Sequence, residues 1–252
     1  MKINSVNKAI SILNCFTIEK SILGVGEISK ETGYTPSTVS RLLSTLKGRG
    51  VVERVDSSRK YQLGYRIYLW GEICQSHNTL PKFAKPVMEK LRDKCGEEIS
   101  LYVVSGVHRI CIERVPSRQA IAMSGFIGAK LPLHTGASGQ VLLAYQPIEK
   151  RKEIYESQSL ARFTGQTIIS RDELETRLKK IKEQGYAVSK EEREPGAYSI
   201  VAPVWVKKNH VAASLSISGP LYRLSDEQLK LNISEVISAA NKISRKMTDH
   251  LK

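Results

Sequence analysis

The sequence predicts an α+β protein in two parts: a small helical unit ending in a basic β-hairpin, then a larger domain of paired strands and helices. Three observations carry that assignment. Apolar residues at helical spacing dominate residues 5–46, a short valine-rich hairpin follows, and two long β-rich pairs separated by helical stretches fill the second half. The 252 residues suffice for one large domain or for two smaller ones with separate cores.

Val6, Ile10, Leu13 and Phe16 define one stripe of a first helix over residues 5–16. Gly24 and Gly26 flank Val25, and Ile28 anchors a short second helix reaching Thr32, which Gly33 closes as a left-handed terminal residue. Thr35 caps a third helix, and Pro36 takes its first position, where a missing N–H costs nothing. Within it Val39, Leu42, Leu43 and Leu46 follow the i, i+3, i+4, i+7 pattern and face the first two helices. An advance of about 100° per residue puts Ser37, Arg41 and Ser44 on the opposite face, flanked by Thr38, Ser40 and Thr45. That face is small, polar and without negative charge.

Two helices around a short glycine-containing turn, the second with such a face, have the sequence shape of a helix-turn-helix. Short hydroxyl side chains let a helix sit deep in a DNA major groove, and Arg41 is long enough for a guanine edge or a phosphate. Val51, Val52 and Val55, the turn Asp56-Ser57-Ser58 and the returning Lys60-Tyr61-Gln62-Leu63 predict a wing. Arg54, Arg59 and Lys60 near its tip suit phosphates or a minor groove.

A helix over residues 65–76 links this unit to the rest, Leu80-Pro81 marks a break, and a further helix covers 81–95. Residues 98–115 read as a hairpin around Ser105-Gly106, and residues 198–219 as a second one around Lys208-Asn209. Helical stretches lie near 137–145, 149–157 and 171–183, the last opened by a Ser170…Glu173 capping box. A closing helix starts at Ser225, with Gln228 completing another box, and carries Leu229, Ile233, Val236, Ile237, Ala240 and Ile243 on one side. Hairpins with helices on one or both sides argue a sensor-like α+β domain.

The net charge of +14 suits a polyanionic partner, and residues 25–66 hold eight cations against four acids. Cys15, Cys74, Cys95 and Cys111 form no C-x-x-C pair or Cys/His cluster, so no zinc or other metal site is expected, and no cofactor motif stands out. No run of about 18 apolar residues occurs, so no membrane association is expected and the location read from the sequence is cytoplasmic. An enzyme is disfavoured: Gly136-Ala137-Ser138-Gly139 near His134 approaches a nucleophile elbow, but G-x-S-x-G requires glycine where Gln140 stands.

Four segments together resemble the IclR-type transcriptional regulators: Tyr61-Gln62-Leu63-Gly64 closing the wing, "GAKLPLHTGASGQVLLAY" (128–145), "SKEEREPGAYSIVAPV" (189–204) and "SLSISGP" (214–220). The resemblance implies a winged helix-turn-helix over 1–64, a linker helix over 65–79 and a GAF-like effector-binding domain over 80–252. It implies a bacterial or archaeal, nucleoid-associated protein that binds a palindromic operator as a homodimer or dimer of dimers, as a repressor or else an activator. A small-molecule effector, such as a small carboxylate or an aromatic acid, is implied for the second domain. By position, the main-chain N–H groups of Ala137 and Ser138 open a helix that favours an anion, and Ser199, Ser216 and Ser218 add hydroxyls. Ser216 and Ser218, two apart, share a strand face. This sequence has Ser189 where members of the family can carry an acid, and Ser199 where they can carry cysteine.

Overall fold

The computed structural model describes residues 3–56, 58–77, 79–121, 123, 125–157, 159–207 and 210–250. The chain forms two compact units, 1–78 and 79–252. The predicted turn residues Ser57, Lys208 and Asn209 lie outside the described residues.

The first unit contains α1 (Asn4–Leu13), α2 (Val25–Thr32), α3 (Pro36–Gly48), the strands β1 (Val52–Arg54) and β2 (Tyr61–Leu63), and α4 (Tyr65–His77). Ile12, Leu23, Ile28, Val39, Leu43 and Val52 are buried together as its core. The expected stripe of α1 is corrected here. Val6 and Ile10 are exposed, the helix ends at Leu13, and Ile12 makes the fully buried contact, with Leu13 and Phe16 only partly covered. Two apolar stripes run along this helix, and tertiary packing chose the one that periodicity did not favour.

The turn between α2 and α3 follows the expectation. Gly33 is left-handed at φ 72°, Thr35 Oγ1 accepts from the Thr38 N–H at 3.4 Å, and Pro36 opens α3. Helix α2 begins earlier than expected, because the Glu27 carboxylate accepts from the Gly24 N–H at 2.7 Å and draws a full turn ahead of Ile28 into the helix. The wing strands pair from Val52↔Leu63 to Arg54↔Tyr61, and Tyr61 also bridges Leu23. Gly64 closes the wing because a Cβ there would collide with the Gly50 carbonyl.

The second unit has α5 (Thr79–Cys95), β3 (Glu98–Ser105), β4 (His108–Val115), β5 (Lys130–Pro132), α6 (Gly136–Ala144), α7 (Ile148–Ser157), α8 (Arg171–Gln184), β6 (Ala187–Lys190), β7 (Ala197–Lys207), β8 (His210–Pro220) and α9 (Asp226–His250). The expected break at Leu80-Pro81 is instead the first turn of α5, where proline removes only an N–H that has no helical partner. Six strands form one antiparallel sheet in the order β5-β4-β3-β8-β7-β6. The short edge strands β5 and β6 carried no strand signal of their own.

Period-two alternation serves two cores, one on each face of the sheet. Ile200, Ala202 and Val204 of β7 and Ala213, Leu215 and Ile217 of β8 pack with Met88 and Leu91 of α5 and Val236, Ala240 and Ile243 of α9. On the other face Val201 and Val211 pack with Val141 and Leu142 of α6 and Leu174, Leu178 and Ile181 of α8.

Strand β4 breaks the alternation. Leu101 faces Glu113 while the next residue, Tyr102, faces Cys111, so Ile112 is an extra residue, a β-bulge. Glu113 and Val115 therefore share the α5 face, where Glu113 lies 3.8 Å from the Lys85 ammonium. Arg109 and Cys111, although at the same two-residue spacing, lie on the α6 face.

Candidate functional sites

On α3, Ser37, Ser40, Arg41, Ser44 and Thr45 are exposed, while Val39 and Leu43 are buried beneath them. The helix thus spends its apolar residues on its own core and leaves a polar row outward. Several hydroxyls in that row already have partners. Thr35 Oγ1 lies 3.1 Å from Ser37 Oγ and 3.0 Å from Thr38 Oγ1, and Thr45 Oγ1 donates to the Arg41 carbonyl at 3.1 Å. Among the described residues, no acceptor or carboxylate engages Ser40, Ser44 or the Arg41 guanidinium. On the wing Arg54 and Arg59 are exposed. Lys60, grouped with them from the sequence, lies instead against α2, its ammonium 3.1 Å from the Glu27 carboxylate.

In the second unit a cavity of about 70 Å3 opens between the sheet, the start of α6 and the loop after β6. Tyr102, Arg109, Gly136, Ser138, Ser189, Ser199 and Ser218 contribute to its wall, together with Glu192, Arg193 and Glu194. Strand register explains the serines: Ser189 pairs with Ser199, and Ser199 with Ser218, so the three lie in one row across β6, β7 and β8. Ser216 does not line the cavity. It is buried one pleat along, its Oγ 2.9 Å from that of Ser218, and it reaches the cavity only through that neighbour. Ala137 is fully buried and also off the wall, where Gly136 and Ser138 stand on either side of it.

The N-terminus of α6 already holds an anion of its own chain. The Glu192 carboxylate accepts from the Gly136 N–H at 3.1 Å and from Gln140 Nε2 at 2.6 Å, while its main-chain carbonyl accepts from Thr135 and Thr167. Burial raises the Glu192 carboxyl above the ordinary carboxylate range, against the lowering effect of the Gly136 N–H and Arg177. Gln140, which spoils the nucleophile-elbow pattern, thus holds Glu192. His134 is buried, with Nε2 3.0 Å from the Ala161 carbonyl, and burial lowers its pKa, so it packs as a neutral ring at pH 7.

Sequence reasoning missed Arg109. It is 4 % exposed, and desolvation brings its pKa down to about 10, so it remains a cation at neutral pH. Its Nη1 donates to the Pro132 and Thr135 carbonyls, which ties the strand-to-helix loop to β4. Gly139 lies close behind, where a Cβ would strike the Leu133 carbonyl and Arg109 Nη1. Arg109 also lies 5.5 Å from the Tyr102 ring centre. A signal existed in the alternation "HRICIERV", but regular pairing would have put Arg109 on the opposite face. Among the described residues no helix is long and apolar enough to cross a membrane, and no group of three or more His, Cys, Asp or Glu side chains could hold a metal ion.

Comparison with known proteins assigns both units. Residues 5–56 match the IclR helix-turn-helix domain, and residues 74–245 match the bacterial transcriptional regulator IclR C-terminal family. The chain is 34% identical over 248 residues to the HTH-type transcriptional regulator KdgR of Escherichia coli K12, covering 98% of this chain and 94% of that protein. It superposes on Thermotoga maritima IclR with a TM-score of 0.75 at 27% identity, over 98% of this chain and 100% of that one. An IclR homologue from Microbacterium hydrocarbonoxydans, crystallised with 4-hydroxybenzoate, shares the fold at a TM-score of 0.84 and 24% identity, covering 97% and 99% of the two chains. These families and relatives are transcriptional regulators and not enzymes. The chain belongs to the IclR family: it is a transcriptional regulator with a DNA-binding helix-turn-helix unit and an effector-binding C-terminal domain.

Proposed function

We propose that this regulator is a cytoplasmic repressor that binds a palindromic operator as a homodimer or dimer of dimers and leaves it when a small organic acid enters the cavity of the second unit. The observation that carries the DNA half is the row Ser40, Arg41 and Ser44 on α3, which is exposed and without internal partners among the described residues. Arg41 is the side chain for a base edge, and the hydroxyl cluster of Thr35, Ser37 and Thr38 at the start of α3 suits a backbone phosphate. Thr45, Arg54 and Arg59 take flanking phosphates, and Lys60 contributes by leaving Glu27.

Assembly is supported by apolar surface in the first unit. Ile3, Val6 and Ile10 of the N-terminal segment and Tyr65, Tyr68, Leu69, Trp70 and Ile73 of α4 are all exposed, more than an isolated small unit leaves to water. The effector half rests on the polar wall of the cavity: the serine row, the α6 N-terminus and Ser138. Ser216 supports the row from behind, and Ala137 supplies a main-chain N–H in the first turn of α6. The relative crystallised with 4-hydroxybenzoate supports an acid as the ligand class.

Footprinting of the purified protein on genomic DNA, followed by fluorescence anisotropy on the protected duplex, tests this reading. Protected inverted repeats and release by an acid are expected. By linkage, an acid that weakens operator binding is itself bound more weakly by the operator complex. An absence of salt-sensitive binding to any duplex refutes the DNA half.

A further inference from the structure

Four charged side chains stand around the cavity in the second unit, and three have their charges answered within the protein. The Glu192 carboxylate is held by the Gly136 N–H and Gln140, and Arg193 pairs with Glu194. Arg109 is the fourth. It is buried, and among the described residues no carboxylate lies within ion-pair distance of its guanidinium. Glu192 acts on it only from beyond contact distance, and a buried cation without a contacting counter-ion is costly in a protein interior.

The distribution of its donors is one-sided. Both of its hydrogen bonds among the described residues leave from Nη1, to the carbonyls of Pro132 and Thr135. Nε is buried without an acceptor, and no described residue accepts from Nη2. Nε–H and Nη2–H form one edge of the fork, parallel donors spaced for the two oxygens of a carboxylate. Nη2 lies 3.5 Å from where a Cβ of Gly136 would be, and Gly136 lines the cavity. The absence of a side chain there leaves Nη2 open on that side, while Nε is covered by the surrounding protein.

We propose that Arg109 receives the effector's carboxylate through Nη2, the donor its loop contacts leave free, making Arg109 the residue that selects acids over neutral molecules of the same shape. This rests on the reading of the cavity as the effector site and assigns its charge-recognising group. Nη1 meanwhile keeps hold of the loop that opens α6, so the ligand carboxylate and the start of α6 share one guanidinium. Ser138, Ser189, Ser199 and Ser218 then read the remainder of the molecule.

The test compares acetate and lactate with acetamide and lactamide on the full-length protein, by calorimetry and by 1H–15N spectra of arginine Nε–H groups. An acid bound at least tenfold more tightly than its amide is expected. The Arg109 Nε–H resonance, assigned by its loss in Arg109→Lys, should move with the acid and stay with the amide. Arg109→Lys keeps the charge but not the fork and should bind the acid about tenfold more weakly; a melting curve reports whether it has folded. Because the amide comparison and the spectra use unaltered protein, an unfolded variant leaves the decision intact. Equal binding of acid and amide, or acid binding that leaves the Arg109 resonance in place, overturns the proposal while the effector reading stands. Failure of both acids to bind at 10-fold excess over millimolar protein also overturns it, and salt-sensitive operator binding then still reports the regulator.

Discussion

Gly139→Ala sets two sizeable effects of opposite sign against each other. Gly139 lies within α6, where glycine costs about 1 kcal/mol relative to alanine, so propensity alone predicts stabilisation. The surroundings predict the reverse. An added Cβ would collide with the Leu133 carbonyl oxygen, meeting its carbon at 2.8 Å and Arg109 Nη1 at 2.5 Å, and the Leu133 atoms are backbone. Overpacking of this kind costs about 1–3 kcal/mol. The net is a loss of up to about 2 kcal/mol, or up to about 8 °C in midpoint for a unit of this size. Gly71→Ala is the matched control: it lies inside α4 with nothing within 4 Å of the new carbon, and should gain about 0.5–1 kcal/mol. Urea titrations followed by circular dichroism read both. A rise in midpoint for Gly139→Ala refutes the assignment of this glycine to close approach of the Leu133 carbonyl.

Arg41→Ala should weaken operator binding by about 1–3 kcal/mol and relax preference at one base pair, whereas equal loss on random DNA assigns it to a phosphate. Arg59→Ala should reduce the slope of log affinity against log salt by about 0.9, and Lys60→Ala by less, since Lys60 must first leave Glu27; anisotropy at several salt concentrations separates them. Leu43→Ala, fully buried beneath the polar row of α3, should cost about 2–5 kcal/mol and abolish DNA binding at moderate temperature, read by melting and anisotropy together. Glu192 has a raised carboxyl pKa, so its contribution to stability is complete below the ordinary carboxylate value and is lost as pH rises through the folded value. Melting temperature should therefore gain more between pH 7.5 and 4.5 in the native protein than in Glu192→Gln, and identical pH profiles would refute that assignment.

The first unit was largely legible because its signals are local. Gly33, Thr35 and Pro36 each fix one feature of the turn within a few residues, and the α3 pattern of Val39 and Leu43 points to one face. The α1 stripe was misread because a helix carrying apolar residues on two sides leaves the choice to partners distant in sequence. In the second unit the serine row was legible in its parts, since spacing by two gives a shared face. Its alignment across β6, β7 and β8 depends on register, which only the assembled sheet fixes. Ser216 and Ala137 each neighbour a wall residue without lining the wall themselves. Arg109 and Glu192 were missed for a different reason. Their significance lies in which groups surround them, and those groups come from residues 132–140 and 191–192, brought together by the bulge in β4 and the loop after β6.

The bulge at Ile112 works as a sorting device within a single strand. Upstream of it β4 delivers polar groups to the cavity side; downstream, the same two-residue beat delivers Glu113 and Val115 to the α5 side. Deleting that one residue would leave the composition of the strand almost unchanged while exchanging the destinations of its two ends. Arg109 would then point toward the apolar layer formed by α5 and α9, far from the loop carbonyls that hold it. The chemistry of the cavity therefore depends on a residue that never touches it, and a sequence change there would alter the cavity wall by reversing a strand and not by replacing a contact.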